Sequence, residues 1–266
     1  EKSDVFSVLN DTKNNKEPNT FLNTGFQFHL KGLSFGYGNW NQWWGPGIHN
    51  SLVMTNNAEG FYHYFIGTSN YIKIANEIYL YAKYITSQRF ENILGEDFFL
   101  SSLFLNIKYK IFDIGYSRNI LSGGYPGLKW SNKDAFLTLF NKTNINYWDI
   151  VNDYYIYAEF PESDLQVFIE IGIPNRSFGN KDPSFYQDHT IGRNIGVRKK
   201  NIFGSKNMLI GFEYSRLVQS VYYNIMPSSN WYDNNKFNFS SYNNRRWASH
   251  SGSDSDDLLI FIGLIN

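Results

Sequence analysis

The chain has 266 residues, 24 basic and 24 acidic side chains, 19% aromatic content and no cysteine. A formal charge of zero without a basic stripe argues against a nucleic-acid partner, and the missing cysteines exclude disulfides and thiolate metal sites. Mean hydropathy is −0.41 and no apolar run nears the ~20 residues of a spanning helix, which excludes an α-helical membrane protein but not a barrel, whose strands are apolar only at alternate positions.

The first residues, EKSDVFSVLN, contain no initiator Met, basic stretch or apolar run, so a leader is expected to be absent or already removed. Residues 1–23 read as a polar, partly disordered N-terminal segment, and residues 24–266 as one β-barrel domain. A first strand is expected from Thr24 to Tyr37, with His29 alternating with Gln27 and Lys31 and serving as a polar lumen residue. Trp43 to Tyr64, WWGPGIHNSLVMTNNAEGFYHY, reads instead as an ordered, inward-folded connection. Its Gly45, Pro46 and Gly47 specify turns, and Asn50, Ser51, Asn56 and Asn57 supply local side-chain to backbone bonds. Strands follow at Phe61 to Thr68 and Glu77 to Ile85.

Ser102 to Ile111 is the clearest alternation. Leu103, Leu105, Ile107 and Tyr109 suit lipid, and Asn106, Lys108 and Lys110 suit a hydrated lumen. Ala135 to Phe140 is read as a strand, Tyr154 to Gly172 as a hairpin about Pro161–Asp164, and Thr190 to Asn201 with Asn207 to Leu217 as another. Lys236 to Tyr242 and Leu258 to Ile265 complete about eleven or twelve strands. A soluble β-sandwich or propeller also alternates; strand lengths near the ~9–11 residues that cross a bilayer, and rings at strand ends, favour the antiparallel transmembrane barrel.

Chemical signatures are few. The five histidines, His29, His49, His63, His189 and His250, make no metal spacing, though His63 and His250 sit beside segments that suit a ligand. Ser253 to Asp257 crowds three carboxylates together, an arrangement that a hard cation such as Ca²⁺ can use; a solvated loop is the favoured reading. No hydrolase, β-lactamase or P-loop motif is present, so no catalytic residue, metal or cofactor is expected.

Three stretches carry a family resemblance: W-G-P-G, N-S-L and N-N-A between Trp44 and Ala58; Gly115 to Gly124, with Arg118 before a Gly-Gly turn; and Trp247 to Asp256, with His250 and a Gly-x-Asp-x-Asp string. Together they resemble the Wzi-like capsule assembly proteins of the bacterial outer membrane. The resemblance implies an outer-membrane β-barrel that binds capsular or exopolysaccharide, contacts outer-membrane lipid and catalyses nothing. It nominates Trp43, Trp44, Asn50, Asn57, Arg118, His250, Asp254 and Asp256 as polysaccharide-binding residues or, on the plainer reading, as a network pinning a loop in the lumen. The N-terminal part of the family's barrel is expected to be missing here, and the final Gly263 to Asn266 lacks the terminal aromatic of many such barrels. A diffusion channel with Lys83, Lys108, Arg193 and Arg198 lining a pore is the competing reading, and an enzyme acting on lipid or polysaccharide a weaker one.

Overall fold

Period-two patterning becomes antiparallel sheet wherever the chain can turn tightly. The computed structural model describes residues 23–140, 148–174, 191–202, 205–217, 231–232 and 235–264. Most of the expected N-terminal segment, and His189, lie outside them. In chain order the strands are β1 (Gly25–Leu30), β2 (Leu33–Gly38), β3 (His63–Thr68), β4 (Ile72–Ala75), β5 (Ile78–Ser87), β6 (Phe90–Glu91), β7 (Asp97–Tyr109), β8 (Phe112–Gly123), β9 (Trp148–Phe160), β10 (Leu165–Pro174), β11 (Gly192–Ile202), β12 (Ser205–Arg216), β13 (Ser241–Tyr242), β14 (Arg245–Arg246) and β15 (Asp256–Leu264). Among the described residues they make one 13-stranded sheet in the order β1-β2-β3-β5-β7-β8-β9-β10-β11-β12-β15, with β4 beside β5 and β6 beside β7, plus a β13-β14 ribbon. All its pairings are antiparallel, and all but β3-β5, β5-β7 and β12-β15 join strands adjacent in sequence. The sheet is not closed among the described residues: β1 and β15 are its edges.

The two sides of the sheet differ as the patterning requires. Leu80, Ile107, Ile114, Ile156, Ile169, Ile195, Tyr214 and Leu258 stand directly opposite one another across eight consecutive strands, forming an outward row. Many members of this face are exposed large apolar groups, Ile114, Ile156, Ile169 and Leu258 among them. So continuous an apolar belt is unfavourable in water and suits hydrocarbon. Leu103, Leu105, Ile107 and Tyr109 lie on this face, as expected. Asn106, fully buried on the other, accepts from Tyr71 Oη at 2.7 Å and donates to Tyr155 Oη at 2.5 Å. Lys108 shares that concave side, with its ammonium 5.6 Å from the Tyr71 ring centre, whereas Lys110 sits in the β7-β8 turn at a φ of 52°.

On the concave side, glycines make room for rings. Gly115, Gly196 and Gly211 pair directly with Tyr155, Phe168 and Phe261, and each ring lies over its glycine. A methyl group at Gly115 would meet the Tyr155 ring at 1.9 Å, and one at Gly196 the Phe168 ring at 2.2 Å. These are requirements of space, since neither glycine needs a left-handed backbone.

Three expected elements differ. The long strand from Thr24 is a hairpin, because Lys31 and Gly32 both take positive φ, 47° and 85°, as a two-residue turn of the primed kind demands; Lys31 is therefore a turn residue and not a strand partner of His29. Ala135 to Thr138 belongs instead to a helix, α1 (Asn132–Thr138), which Ser131 and Asp134 start as a reciprocal capping box, and Leu139 and Phe140 form the turn that ends it. The helix lies across the outward face of β5, β7 and β8, burying Ala135 and setting Phe136 against Tyr84 at 5.6 Å. Lys236 to Tyr242 is a pair of 3₁₀ turns running into β13: left-handed φ at Asn238, Phe239 and Ser240 breaks the extended chain and seats Phe237 in the core against Phe98.

The glycine–ring pairs make a direct prediction. Gly115→Val and Gly196→Val should each lower stability by ~1–3 kcal/mol or more through forced overlap, read as a reduced urea midpoint in detergent, while Gly263→Val, which meets no neighbour, should leave it unchanged.

Candidate functional site

The segment between β2 and β3, residues 39–62, crosses the concave face and fills its middle. Its apolar residues Trp44, Leu52, Val53, Met54, Ala58 and Phe61 join Phe98, Leu100, Trp231, Phe237 and Trp247 in one buried cluster. A loop buried this deeply needs partners for its backbone N–H and C=O groups, and the inward residues of four strands provide them. Glu213 on β12 accepts from the backbone N–H of Ile48 at 2.9 Å, His49 at 3.2 Å and Asn50 at 2.7 Å. Glu170 on β10 accepts from the Leu52 N–H at 2.8 Å and the Ser51 hydroxyl at 3.0 Å. Asn194 on β11 donates to the Asn50 carbonyl at 3.1 Å and to Glu170 at 2.9 Å. Asn119 on β8 donates to the Val53 carbonyl at 2.9 Å, and Arg198 on β11 to the Pro46 carbonyl at 2.5 Å.

The C-terminal turns clamp the same loop from the other side. Tyr232 Oη donates to the Leu52 carbonyl at 2.5 Å, the Thr55 N–H to the Trp247 carbonyl at 2.6 Å, and Asn57 Nδ2 to the Arg246 carbonyl at 3.1 Å. The single Ser51 hydroxyl proton is shared between Glu170 and the Trp44 carbonyl, closing the loop on itself. Gly45 takes a φ of 156° with Ser51 directly against it, and an added side-chain carbon at Gly47 would overlap the Asn50 carbonyl, so both positions require glycine.

The nominated residues separate on this scaffold. Trp44 forms an isolated bridge with Met54, is 3% exposed and stacks on Phe104 at 5.4 Å, a packing position that leaves no ring face for a ligand. Trp43, next in the chain, points the other way. Its indole N–H donates to the Gly47 carbonyl at 2.9 Å, and its ring lines an open cleft of about 380 Å³ with Gln27, His29, Trp40, Asn41, Gln42 and Lys83. Lys83 donates to Gln42 at 2.9 Å and lies 5.0 Å from the Phe65 ring centre. Trp40, Asn41 and Gln42 were not expected at the site, because the W-W-G-P-G string draws attention past them. Asn50 is fully buried and structural, and Asn57 serves the clamp. His63, fully buried against the Phe61 carbonyl at 2.8 Å, is a core residue with no access to a ligand.

Strand parity corrects further expectations. Arg118 stands opposite Leu103 and Asn152 on the outward face, while Ser117 and Asn119 beside it turn inward, so Arg118 takes no part in the lumen network. Arg193 likewise shares the outward face, opposite Ile171 and Arg216, whereas Lys83, Lys108 and Arg198 lie on the concave side. The acidic string is dispersed in the same way. Asp254 caps a turn at a φ of 53°, Asp256 meets Arg216 at 3.8 Å and accepts from Tyr214 Oη at 2.8 Å, and Asp257 turns inward. A shared Ca²⁺ site in this string is excluded by that geometry. His250 instead approaches Asp257 at 3.0 Å, and His49 approaches the same oxygen at 3.2 Å. Burial lowers the pKa of His250 below its ordinary value, against the opposing pull of Asp257.

Comparisons with known proteins bear on this arrangement. Residues 5–96 match the family model of the capsule assembly protein Wzi, a span that contains β1 to β6 and the whole crossing loop. No curated protein matches the chain. Among solved structures, the chain is similar to Wzi of Escherichia coli, described as an outer membrane protein involved in group 1 capsule assembly and as a carbohydrate-binding β-barrel; the TM-score is 0.68 at 12% identity, over 90% of this chain and 52% of that one. The chain thus spans about half the length of that protein. The resemblance drawn from the three sequence stretches is to the same family, and the likeness in structure shows the fold.

The pinning of the loop is open to test. Glu213→Ala strips the acceptor from three loop amides and should lower stability by about 3 kcal/mol or more, at ~1–3 kcal/mol per buried donor left unsatisfied, and expose residues 45–50 to limited proteolysis. Glu213→Gln, which keeps one acceptor oxygen, should show a smaller loss on both readouts.

Proposed function

We propose that the protein is a non-enzymatic outer-membrane β-barrel that binds capsular or exopolysaccharide and assists its assembly or attachment at the cell surface. The observation that carries the reading is the cleft at Trp43, within the span matched to the Wzi family model. Trp40 and Trp43, the amide residues Gln27, Asn41 and Gln42, and His29 and Lys83 line a groove open to water there. Sugar rings offer apolar C–H faces that stack on indoles and hydroxyls that bond to amides, so this lining meets both halves of a saccharide. The outward apolar belt supports insertion in lipid, and the described strands β5 and β7 to β12, at 10–13 residues, are long enough to cross a bilayer that needs ~9–11.

A diffusion pore is the poorer reading. The crossing loop is buried in the core cluster on the concave face, and Arg198, nominated as a pore cation, is engaged with the Pro46 carbonyl. Catalysis would need an acid, base or nucleophile in the cleft. Its ionisable residues are His29, Tyr81 and Lys83, and Lys83 donates to Gln42.

The two adjacent tryptophans supply the test. Trp43→Ala should weaken binding of purified capsular polysaccharide by ~1 kcal/mol or more, as truncating a stacked aromatic anchor does, with the unfolding midpoint unchanged. Trp44→Ala should do the reverse, costing ~3–5 kcal/mol of stability by emptying a packed site. Surface plasmon resonance on immobilised glycan, run beside thermal unfolding, reads both. Unchanged binding in Trp43→Ala, with the fold intact, would reject the cleft as the saccharide site.

A further inference from the structure

We propose that His49, His250 and Asp257 form a binding site for a divalent transition ion of the Zn²⁺ class, which staples the crossing loop to the last strand. The site joins distant parts of the chain, His49 on one side and His250 with Asp257 on the other. His49 sits in the crossing loop, His250 in the turn before β15, and Asp257 is the second residue of β15, where strand parity sends it to the concave side. Both imidazole Nε2 atoms approach the one carboxylate oxygen, Asp257 Oδ2, at 3.2 Å and 3.0 Å, and all three ligand atoms lie within 4.8 Å of one another.

Three features favour an ion over an ordinary polar contact. First, two ligands held ~2.0–2.1 Å from a tetrahedral ion stand about 3.3 Å apart, so the two histidine–aspartate separations already have the spacing that coordination requires. Second, Asp257 Oδ2 is buried and has no well-aligned hydrogen-bond donor, so its two imidazole neighbours approach without satisfying it. Third, the rings stand edge to face with centroids 4.4 Å apart and side-chain exposures of 34% and 32%, near enough to rotate onto a shared ion and open enough to admit one.

The surroundings hold the ligands in place. Glu213 fixes the backbone N–H of His49, Asn50 donates to the Ser251 hydroxyl at 3.5 Å, and Ser249 and Ser251 hydroxyls meet at 2.8 Å, tying the turn that carries His250 to the loop that carries His49. Two imidazoles and one carboxylate suit a borderline ion such as Zn²⁺ and are poor for Ca²⁺ or Mg²⁺, which take oxygen ligands. Three protein ligands leave a fourth tetrahedral position for water.

Tag-free full-length chain in detergent, stripped with EDTA, should bind one equivalent of Co²⁺ with the strong visible ligand-field band of a tetrahedral site, and added Zn²⁺ should abolish the band and raise the melting temperature. His49→Gln, His250→Gln and Asp257→Asn should each weaken binding by about 100-fold or more, since loss of even an outer-shell partner takes ~10–100-fold. These variants should melt like the metal-free wild type and lose the Zn²⁺-dependent rise, while Glu162→Gln, in the distant β9-β10 turn, keeps both. Absence of a Co²⁺ band together with absence of a Zn²⁺-dependent rise would overturn the proposal. So would a band that persists undiminished in all three variants, because the ion would then reside elsewhere.

Discussion

Everything on the concave face depends on an exchange between buried carboxylates and a buried loop. Glu170 and Glu213 project from β10 and β12 into a space where they are 0% and 2% exposed, and an ionised carboxylate there is unfavourable unless donors surround it. The crossing loop carries the complementary problem of backbone N–H groups far from water and outside any sheet. Each solves the other: Ile48, His49, Asn50 and Leu52 give their amides to the two glutamates, and the loop closes over them. Asn194 completes the exchange by donating to both parties, and Ser215 donates to its amide oxygen at 3.0 Å.

The strict two-residue period of the strands then decides what every other side chain can do. Phe104 stacks under Trp44 because it alternates with Leu103 and Leu105, which meet the outward belt. Asp256 and Asp257 are neighbours in sequence yet belong to different environments, one paired with Arg216 outside and one facing two imidazoles inside. Arg118 is separated from the loop by the same rule, although Ser117 and Asn119 on either side of it face inward. Where two rings would compete for the concave side, glycine occupies the partner position, as Gly196 does beneath Phe168.

Much of this could be read from residues alone because alternation is local. The lipid and lumen faces of β7, the β9-β10 hairpin and the inward fold of the Trp43–Asn57 stretch all follow from neighbours within ten residues of one another. The errors arose where a short signal was outweighed by a pattern. Ala135 to Phe140 alternates weakly, but the Ser131–Asp134 capping box upstream commits it to helix, and Lys31–Gly32 turns a presumed single strand back on itself. The site was harder to read for a different reason. Nothing local tells Glu213 that its partners are amides some 160 residues away, or brings His49 to His250. Their meeting is a product of sheet order, which no spacing motif records.

That same order explains why adjacent tryptophans have different duties. The Trp44–Met54 bridge makes a one-residue stretch of strand within the loop, so Trp44 is driven into the core and Trp43 is turned toward the cleft. The bond from the Trp43 indole to the Gly47 carbonyl then holds its ring. A pre-set ring loses little rotamer freedom on binding, a saving of ~0.5–1.5 kcal/mol for each side chain that would otherwise have to be immobilised. A loop free to move would leave Trp40, Trp43 and Gln42 without a fixed arrangement along the cleft wall. The buried glutamates that pin the loop therefore act on the cleft at a distance, by holding the wall on which it is built.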